Sequence, residues 1–331
     1  MACVGLLTCP VGCDKIADKN SVLPPQPGGI SNVGLTCYVN ATMQMMAAFY
    51  PNMFDPKRVE DPEPKKLAEV GSKVIQTINQ GKTVDSTQAK ALFAALESVH
   101  NTDEKEETDF IKLNKQGDAS EVLQTIFDAL KFPGFESRSF LEHPSTEETK
   151  EAHGDRNNVT SRMLRLNIAP LGQNAATPLY PKKLDMDYLL HNHFSGDTLN
   201  GYKWDREKIN GVKQKPLINK LSKLANGILP VQIVRHAYAN AGGKIHTKLK
   251  NNSSLTFKKE YFYEDTQAIS YDLRGFILQS GSLYAGHYVA WVYREDRNQW
   301  YYISDSSVEQ RTAKDAKDAS EDAYILFYQT R

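Results

Sequence analysis

Residues 29–44 read GISNVGLTCYVNATMQ, a glycine-containing loop followed by the start of a helix. Apolar side chains recur downstream at helical spacing: Met43, Met46, Ala47 and Tyr50. Pro51 cannot continue a helix, and Thr36 is of a type that caps one. The sequence therefore predicts a buried helix from about Cys37 to Tyr50, with Thr36 as its N-cap.

Cys37 is placed at the first turn of this helix. The unpaired N–H groups and the dipole at a helix N-terminus favour a thiolate, the form of cysteine that attacks carbonyl groups. The position therefore suits a nucleophile. A buried, inert cysteine fits the same pattern, so the helix alone does not decide between the two.

A cysteine nucleophile needs a base, which is usually histidine. The chain has eight histidines, and most stand in polar stretches typical of a surface. His287 differs because it follows Ala285-Gly286 and opens the predicted strand HYVAWVYR. It is the candidate base, although a histidine filling a gap at a strand edge would show the same pattern.

A third group is predicted from the next hairpin. The strand from His287 turns at EDRN and returns as WYYISD. If the turn centres near residue 296, antiparallel pairing places His287 opposite Ser304 or Asp305. A slip of one residue exchanges the two faces of a strand, so both remain candidates for orienting the imidazole.

Asn32 precedes Cys37 by five residues and is the candidate oxyanion donor. Its side-chain amide and the Cys37 backbone N–H would together stabilise the charge that develops on an attacked carbonyl. A plain turn residue beside Gly34 is the alternative interpretation.

Composition narrows the class of protein. The chain has 331 residues, of which 40 are Lys or Arg and 40 are Asp or Glu, and a net charge of zero argues against nucleic acid as a partner. The sequence has no run of 18 apolar residues, so it predicts no membrane span. The only cysteines are Cys3, Cys9, Cys13 and Cys37. So few cysteines, with no basic segment before the apolar start, indicate a reducing compartment rather than secretion.

The order of predicted elements indicates an α+β fold. A second helix follows Asp118, which stands three residues before Glu121 at capping-box spacing. Residues 135–160 are polar and predict an exposed loop, and another helix is predicted from Asp185 to Phe194. The remainder is rich in β-branched and aromatic residues, so strands dominate the second half. His191 and His193 lack further ligands at fitting spacing, so we expect no metal site.

Taken together, these stretches resemble the ubiquitin-specific proteases (USPs), a family of papain-like cysteine deubiquitinases. The family's cysteine box, approximately G-[LI]-x-N-x-G-N-T-C-Y-x-N-[SA]-x-x-Q, is matched by Gly29, Ile30, Asn32, Gly34, Thr36, Cys37, Tyr38, Asn40, Ala41 and Gln44. Its second box, Q-x-D-A-x-E-[FV]-L, is matched by Gln116, Asp118, Ala119, Glu121, Val122 and Leu123. Its histidine box and the following W-Y-x-F-[DN]-D-x-x-V are matched by Gly281, Gly286, His287, Tyr288, Ala290, Trp300, Tyr301, Asp305 and Val308. Three boxes in order are far more specific than one.

The resemblance implies a papain-like fold of USP type with a helical thumb, a β-rich palm and antiparallel β fingers. Residues 1–27 would be a flexible leader and 28–331 the catalytic domain, with the thumb at roughly 29–165 and the fingers and palm at roughly 166–331. It implies thiol-dependent hydrolysis of the isopeptide bond after the C-terminal Gly-Gly of ubiquitin. The implied catalytic residues are Cys37, His287, Ser304, Asp305 and Asn32. Asp118 would meet the substrate's tail.

Three departures from the family pattern bear on this interpretation. Leu35 replaces an asparagine two residues before the nucleophile. Ser304 stands where most members have Asp or Asn, and serine brings no charge to the imidazole. Many members bind zinc in the fingers through two C-x-x-C pairs, whereas this chain has no cysteine after Cys37. We therefore expect fingers that are shortened or held by packing, with no metal and no cofactor.

Two other functions remain open on the sequence. The chain could cleave a different ubiquitin-like modifier, or it could be an inactive ubiquitin-binding module, which Leu35 and Ser304 would suit. The expected partners are ubiquitin and ubiquitinated proteins, the expected state is a monomer, and the expected location is the cytoplasm of a eukaryotic cell. The sequence leaves open whether it acts there as a host enzyme or as a delivered microbial effector, and which chain linkage or modified substrate it prefers.

Overall fold

The computed structural model describes residues 25–100, 111, 115–152, 159–169, 180–205, 207–221, 224–235, 243–264, 266–282 and 286–331. Residues 1–24 of the expected leader, which include Cys3, Cys9 and Cys13, lie outside the described residues. Among the residues that the structure describes, no helix is both long and apolar enough to cross a membrane.

The described helices fall mostly in the first half of the chain. They are α1 (Cys37–Phe49), α2 (Pro62–Asn79), α3 (Ser86–His100), α4 (Ala119–Ala129), α5 (Met186–Ser195) and α6 (Ala313–Ser320). Helix α1 is the central element, because it packs against α2 and α4 on one side and against strands on the other. Nearly all of its residues are buried, as expected of a helix enclosed on all sides.

The predicted helices α1 and α5 are present with ends within one residue of those expected, and α4 begins after Asp118 as predicted. Asp118 is the N-cap of α4, and its side chain accepts a hydrogen bond from Ser120 N at 2.6 Å. The predicted cap of α1 is wrong in its chemistry. Thr36 occupies the N-cap position, but its side chain makes no capping bond to the helix.

Helices α2 and α3 were not predicted from the sequence, although each begins with residues that are typical of a helix N-terminus. Asp61-Pro62 places proline at the first turn of α2, where a missing N–H costs nothing. Asp85 precedes α3, and its carboxylate accepts from Thr87 N at 2.8 Å and Gln88 N at 2.9 Å. Both features are typical helix N-termini.

An eight-stranded sheet forms the centre of the second half, in the order β16-β15-β14-β13-β17-β10-β4, with β12 also on β13. Its strands are β4 (Leu164–Asn167), β10 (Ile228–Val234), β12 (Ser254–Phe257), β13 (Ile269–Gly281), β14 (Gly286–Arg294), β15 (Gln299–Ser304), β16 (Ser307–Arg311) and β17 (Ile325–Thr330). All neighbours are antiparallel except β10 and β4. The α+β class expected from the sequence is thus the observed one.

A five-stranded sheet has the order β2-β1-β9-β6, with β3 also on β1. Its strands are β1 (Phe135–Glu142), β2 (Thr149–Glu151), β3 (Val159–Ser161), β6 (Asp197–Leu199) and β9 (Val212–Asn219). Two small pairs complete the described strands: β5 (Lys183–Asp185) with β11 (Lys248–Lys250), and β7 (Tyr202–Trp204) with β8 (Glu207–Ile209).

Residues 135–160 were expected to form an exposed loop or extension, and the loop is wrong, because β1, β2 and the start of β3 lie there. Strand β1 lies in this region and pairs with β9 along its whole length. Most of its residues are only half-buried, so both faces tolerate polar side chains. A strand of that kind lacks the apolar alternation by which a half-buried strand is recognised.

The eight-stranded sheet separates two hydrophobic cores. One face, which includes Ile277, Ala290 and Ile303, packs against the helices around α1. Neighbouring residues of the same strands, such as Phe276 and Trp291, point to the other core with α5. The period of two along a strand explains why consecutive residues serve different cores.

Candidate active site

Cys37 is the first residue of α1 and lies where that helix packs against β14. Its side chain is only 5% exposed. The backbone N–H of Tyr288, the residue directly after His287, lowers the pKa of the Cys37 thiol. The helix that begins with the predicted nucleophile thus packs against the strand that carries the predicted base, although about 250 residues separate the two in the sequence.

Two opposing effects act on the Cys37 thiol. Burial raises its pKa above the ordinary value, and the negative charge of Asp305 acts in the same direction. The backbone N–H groups of Tyr288, Tyr38 and Cys37 itself favour the thiolate and lower the pKa, but burial dominates. The thiol therefore needs a base to take its proton before it can attack.

His287 lies at the start of β14 and is half-buried. Its Nε2 is 2.8 Å from the Ser304 hydroxyl at the end of β15. The pairing of these strands begins at Ala290 and Ile303, one residue away from the predicted register, and does not extend to His287. The contact therefore joins side chains across the open end of the ladder, not residues paired directly in it.

Asp305 contacts other residues instead. Its carboxylate accepts from Asn32 Nδ2 at 2.9 Å and from Asn40 Nδ2 at 2.7 Å. It occupies the two-residue turn between β15 and β16 with a φ of 51°, a conformation that Asp tolerates better than most residues. The backbone carbonyl of Asp305 accepts from Ile30 N at 2.8 Å, which fixes the turn against the loop before α1.

Asn32 is exposed, and its side-chain amide is held at both ends. The oxygen accepts from Gly34 N at 3.1 Å and from the Thr36 hydroxyl at 3.2 Å. The nitrogen carries two hydrogens, and the bond to Asp305 uses one of them. The second hydrogen is thus left for a further acceptor.

Asn40 was matched in the sequence but received no role there. It lies three residues after Cys37, so both side chains are on the same face of α1. Asn40 is only 4% exposed, and its bond to the Asp305 carboxylate lies inside the protein. The spacing of Cys37 and Asn40 was the signal that could have identified it.

Asp118, the predicted contact for the substrate's tail, is half-buried at the start of α4. Both of its carboxylate oxygens lie within hydrogen-bond distance of the Tyr324 hydroxyl, at 2.9 and 2.7 Å. Tyr324 stands just before β17 and also receives a bond from Gln232 of β10 at 2.7 Å. Asp118 thus connects a helix of the first half to the large sheet.

The described residues contain no group of three or more His, Cys, Asp and Glu side chains arranged to hold a metal. His193 lies in α5, where burial lowers its pKa and Phe194 meets its ring edge to face. The His191 ring nitrogen lies 3.2 Å from the Ser195 hydroxyl. Both histidines therefore have structural neighbours within their own helix.

The order of the matching boxes, the fold and the juxtaposition of Cys37 and His287 agree with one family. A sequence profile of that family, described as ubiquitin carboxyl-terminal hydrolase, matches residues 28–328. The chain belongs to the ubiquitin carboxyl-terminal hydrolase family. The resemblance to USP-type enzymes stated from the sequence is confirmed.

Individual members of the family show how distant the likeness is. Ubiquitin carboxyl-terminal hydrolase 3 of Saccharomyces cerevisiae is 27% identical over 219 residues, which are 61% of this chain and 23% of that protein. The human ubiquitin carboxyl-terminal hydrolase 17-like protein 13 is 22% identical over 317 residues, or 91% of this chain and 55% of that protein. The chain thus spans about half or less of the length of these curated relatives.

Solved structures confirm the fold. A chain of the SAGA DUB module Ubp8 bound to monoubiquitin superposes with a TM-score of 0.71 at 16% identity, covering 95% of this chain and 72% of that one. The same module bound to ubiquitin aldehyde gives 0.67 at 17% identity, covering 92% and 69%.

The end of the five-stranded sheet has a small core of its own, at Leu141, Trp204 and Val212. The Trp204 indole donates to Glu148 at 3.2 Å, and the Lys150 ammonium lies 4.7 Å from the centre of its ring. Burial of a tryptophan with a cation over its face stabilises a small sheet. These contacts lie in the region where the resemblance led us to expect packing in place of zinc.

Proposed function

We propose that the protein is a deubiquitinase that hydrolyses the isopeptide bond after the C-terminal Gly-Gly of ubiquitin. The observation that carries the proposal is the packing of α1, which begins at Cys37, against β14, which carries a His287 whose Nε2 is bonded to Ser304. A cysteine nucleophile requires a histidine base that is held in place in this way. Membership of the ubiquitin carboxyl-terminal hydrolase family supplies the substrate class.

The bond between His287 and Ser304 favours one role for each ring nitrogen. If Nε2 carries the proton and donates it to the Ser304 oxygen, Nδ1 is left with a lone pair. Nδ1 then takes the proton of Cys37 as the sulfur attacks the carbonyl carbon. As the tetrahedral intermediate collapses, the imidazole donates that proton to the leaving lysine amine, which leaves a thioester on Cys37. In the second half of the reaction His287 takes a proton from water, which attacks the thioester and releases the ubiquitin carboxylate and the Cys37 thiol.

Asn32 and the Cys37 backbone N–H stabilise the oxyanion. Asp305 accepts one hydrogen of the Asn32 amide, so it fixes the direction of the other. In this proposal Ser304 orients the base and Asp305 orients the oxyanion donor. The two candidates that the sequence could not separate thus have different tasks.

Asp118 is proposed to meet the tail of ubiquitin. Its carboxylate already accepts from Ser120 N and Tyr324, but a carboxylate has about four acceptor sites. A backbone N–H of an extended tail is a suitable further donor. We also propose that the enzyme acts as a monomer in a reducing compartment such as the cytoplasm, since oxidation of Cys37 would remove the nucleophile.

The decisive experiment uses ubiquitin with an electrophile in place of its C-terminal carboxylate. Wild-type protein should form a covalent adduct about 8.5 kDa larger than the free enzyme, roughly the mass of one ubiquitin. Cys37→Ala should form no such adduct. Parallel reactions with probes built on other ubiquitin-like modifiers distinguish modifier specificity. Capture by another modifier alone would refute ubiquitin as the substrate, and binding of ubiquitin without capture would indicate an inactive module.

Catalysis is tested separately with a fluorogenic amide at the C-terminus of ubiquitin. Cys37→Ala should abolish release of the fluorophore, and Cys13→Ala is the matched control because it removes a cysteine that the proposed mechanism does not use. Continued turnover by Cys37→Ala would refute the mechanism.

A further inference from the structure

The outer edge of β14 loses its partner strand just before His287. Strand β15 pairs with β14 only as far as Ala290, whereas β13 follows the opposite edge to Gly286. Alternate residues of an antiparallel strand direct their N–H and C=O groups to the same edge. Gly286 and Tyr288 therefore present backbone polar groups to the edge that β15 leaves open.

Side chains from the helical half occupy this open edge. The Gln116 amide nitrogen donates to the Gly286 carbonyl at 2.7 Å, and Gly286 N donates back to the Gln116 side-chain oxygen at 2.9 Å. Two residues further along, the Tyr288 N–H lowers the pKa of the Cys37 thiol at the start of α1. The Gln116 amide thus takes the place of one residue of a missing strand, and the backbone on both sides of His287 faces groups from the helical half of the chain.

We propose that Gln116 is a positioning residue for the Cys37–His287 pair. By holding both polar groups of Gly286, it fixes the backbone of His287 relative to α1. The inference rests on the proposed function, because that function gives Cys37 and His287 their roles. Gln116 itself contacts neither of their side chains in any described hydrogen bond.

Close packing on the other edge of β14 also restrains the backbone of Gly286. A Cβ added to Gly286 would lie 2.2 Å from the Ser280 carbonyl oxygen and 2.4 Å from the Gln279 side-chain nitrogen. The strand is therefore in close contact with β13 on one edge and with Gln116 on the other. Loss of Gln116 leaves only the β13 contacts to fix the start of the strand that carries His287.

The first test separates positioning from binding. A misplacement of about 1 Å can reduce the rate of an oriented reaction by ~10²-fold. Gln116→Ala should lower kcat on a ubiquitin fluorogenic amide by about 10- to 100-fold with KM changed less than about twofold. Gln124→Ala is the matched control, since Gln124 lies in α4, eight residues after Gln116, and its amide donates to Asp128 at 2.7 Å and not to β14. A loss confined to KM, or a kcat equal to that of the control, would overturn the proposal.

The second test uses a variant that can regain the missing donor. In Gln116→Glu, the carboxylate can still accept from Gly286 N but sets an oxygen against the Gly286 carbonyl. Protonation at low pH restores an O–H donor toward that carbonyl. The activity of Gln116→Glu relative to wild type should therefore rise as the pH falls from 8 toward 5.5. A ratio of the two activities that stays constant with pH would contradict the role of the two hydrogen bonds between Gln116 and Gly286. This comparison remains informative even if Gln116→Ala folds poorly.

The third test needs no ubiquitin. With Cys3, Cys9 and Cys13 replaced by serine, alkylation by iodoacetamide reports on Cys37 alone. If Gln116 positions the imidazole, Gln116→Ala moves the rate profile to higher pH, because the thiolate loses a neighbouring base. Unchanged profiles would overturn the positioning role. A shifted profile in a protein that cleaves no ubiquitin substrate would instead refute the proposed function and leave the role of Gln116 standing.

Discussion

Removal of Asp305 should harm catalysis more than removal of Ser304. Ser304 makes one neutral hydrogen bond to His287, of a kind worth ~0.5–1.5 kcal/mol. If the whole of that energy is lost in the transition state, Ser304→Ala lowers kcat/KM by about 2- to 10-fold. Asp305 holds the oxyanion donor Asn32, and an oxyanion donor is worth ~10²–10³-fold in kcat.

Asp305→Asn is the better variant for this comparison. Asparagine tolerates the left-handed backbone at φ 51°, whereas alanine adds a conformational cost of ~1 kcal/mol or more. An amide in place of the carboxylate can accept from only one of the two asparagines that now donate to it. We therefore expect Asp305→Asn to lower kcat/KM by about 30- to 300-fold, somewhat below the full value of a lost donor.

The assay is steady-state cleavage of a ubiquitin fluorogenic amide, with urea unfolding of each variant beside it. Stability must be measured because Asn40 is buried, and an unsatisfied buried donor costs ~1–3 kcal/mol. Assays at a temperature where all variants are fully folded separate that cost from catalysis. If Ser304→Ala loses as much kcat/KM as Asp305→Asn, or more, the assignment of Asp305 to the oxyanion donor is refuted.

Three further predictions concern stability. Burial raises the pKa of Glu121 to about 7 from 4.5, so between these values the folded state binds the extra proton and stability falls as the pH rises. The shift corresponds to at most ~3 kcal/mol in the free energy of unfolding, and partial exposure of Glu121 reduces this to about 2 kcal/mol. Urea unfolding at pH 5 and pH 8 should show this loss of stability in wild type and not in Glu121→Gln. Equal losses in the two proteins would contradict the prediction. Trp204→Ala should lower the stability that the small core of the five-stranded sheet contributes by ~3 kcal/mol. Backbone hydrogen exchange in β7–β9 should then be faster, whereas the alkylation rate of Cys37 should be unchanged. Unchanged exchange in β7–β9 would show that this core contributes little. Gly29→Ala places a Cβ 2.4 Å from the Ser306 carbonyl oxygen beside the Asp305 turn, so both the melting temperature and kcat should fall, whereas Gly243→Ala, with nothing within 4 Å, should change neither.

The helix at Cys37 was predictable because its signals are local. Apolar spacing, a proline after the last turn and a glycine-containing loop before the first turn are all contained within about 20 residues. The strands β13, β14 and β15 were likewise evident from β-branched and aromatic runs. Strand β1 was not, because its polar residues are stabilised by pairing with β9, which comes some 75 residues later.

The residues of the candidate site likewise differ in whether local sequence is enough to predict them. Cys37, His287 and Asn32 could be nominated from residue type and position, and the matching boxes strengthened each choice. The roles of Ser304 and Asp305 could not be separated, since a register shift of one residue decides which side chain faces the imidazole. Asn40 and Gln116 had no visible partner, because each contacts a residue more than 150 positions away.

The sequence by itself determined the class of fold, the family and the candidates for nucleophile and base, because these depend on residue types and short-range order. Only the tertiary structure decided which atoms meet: the serine at the imidazole, the aspartate at Asn32 and Asn40, and the glutamine at the open edge of β14. The physical reason is that hydrogen bonds are directional and act over about 3 Å. Their partners are set by how a helix and a sheet from opposite ends of the chain pack together, and no local pattern encodes that distance.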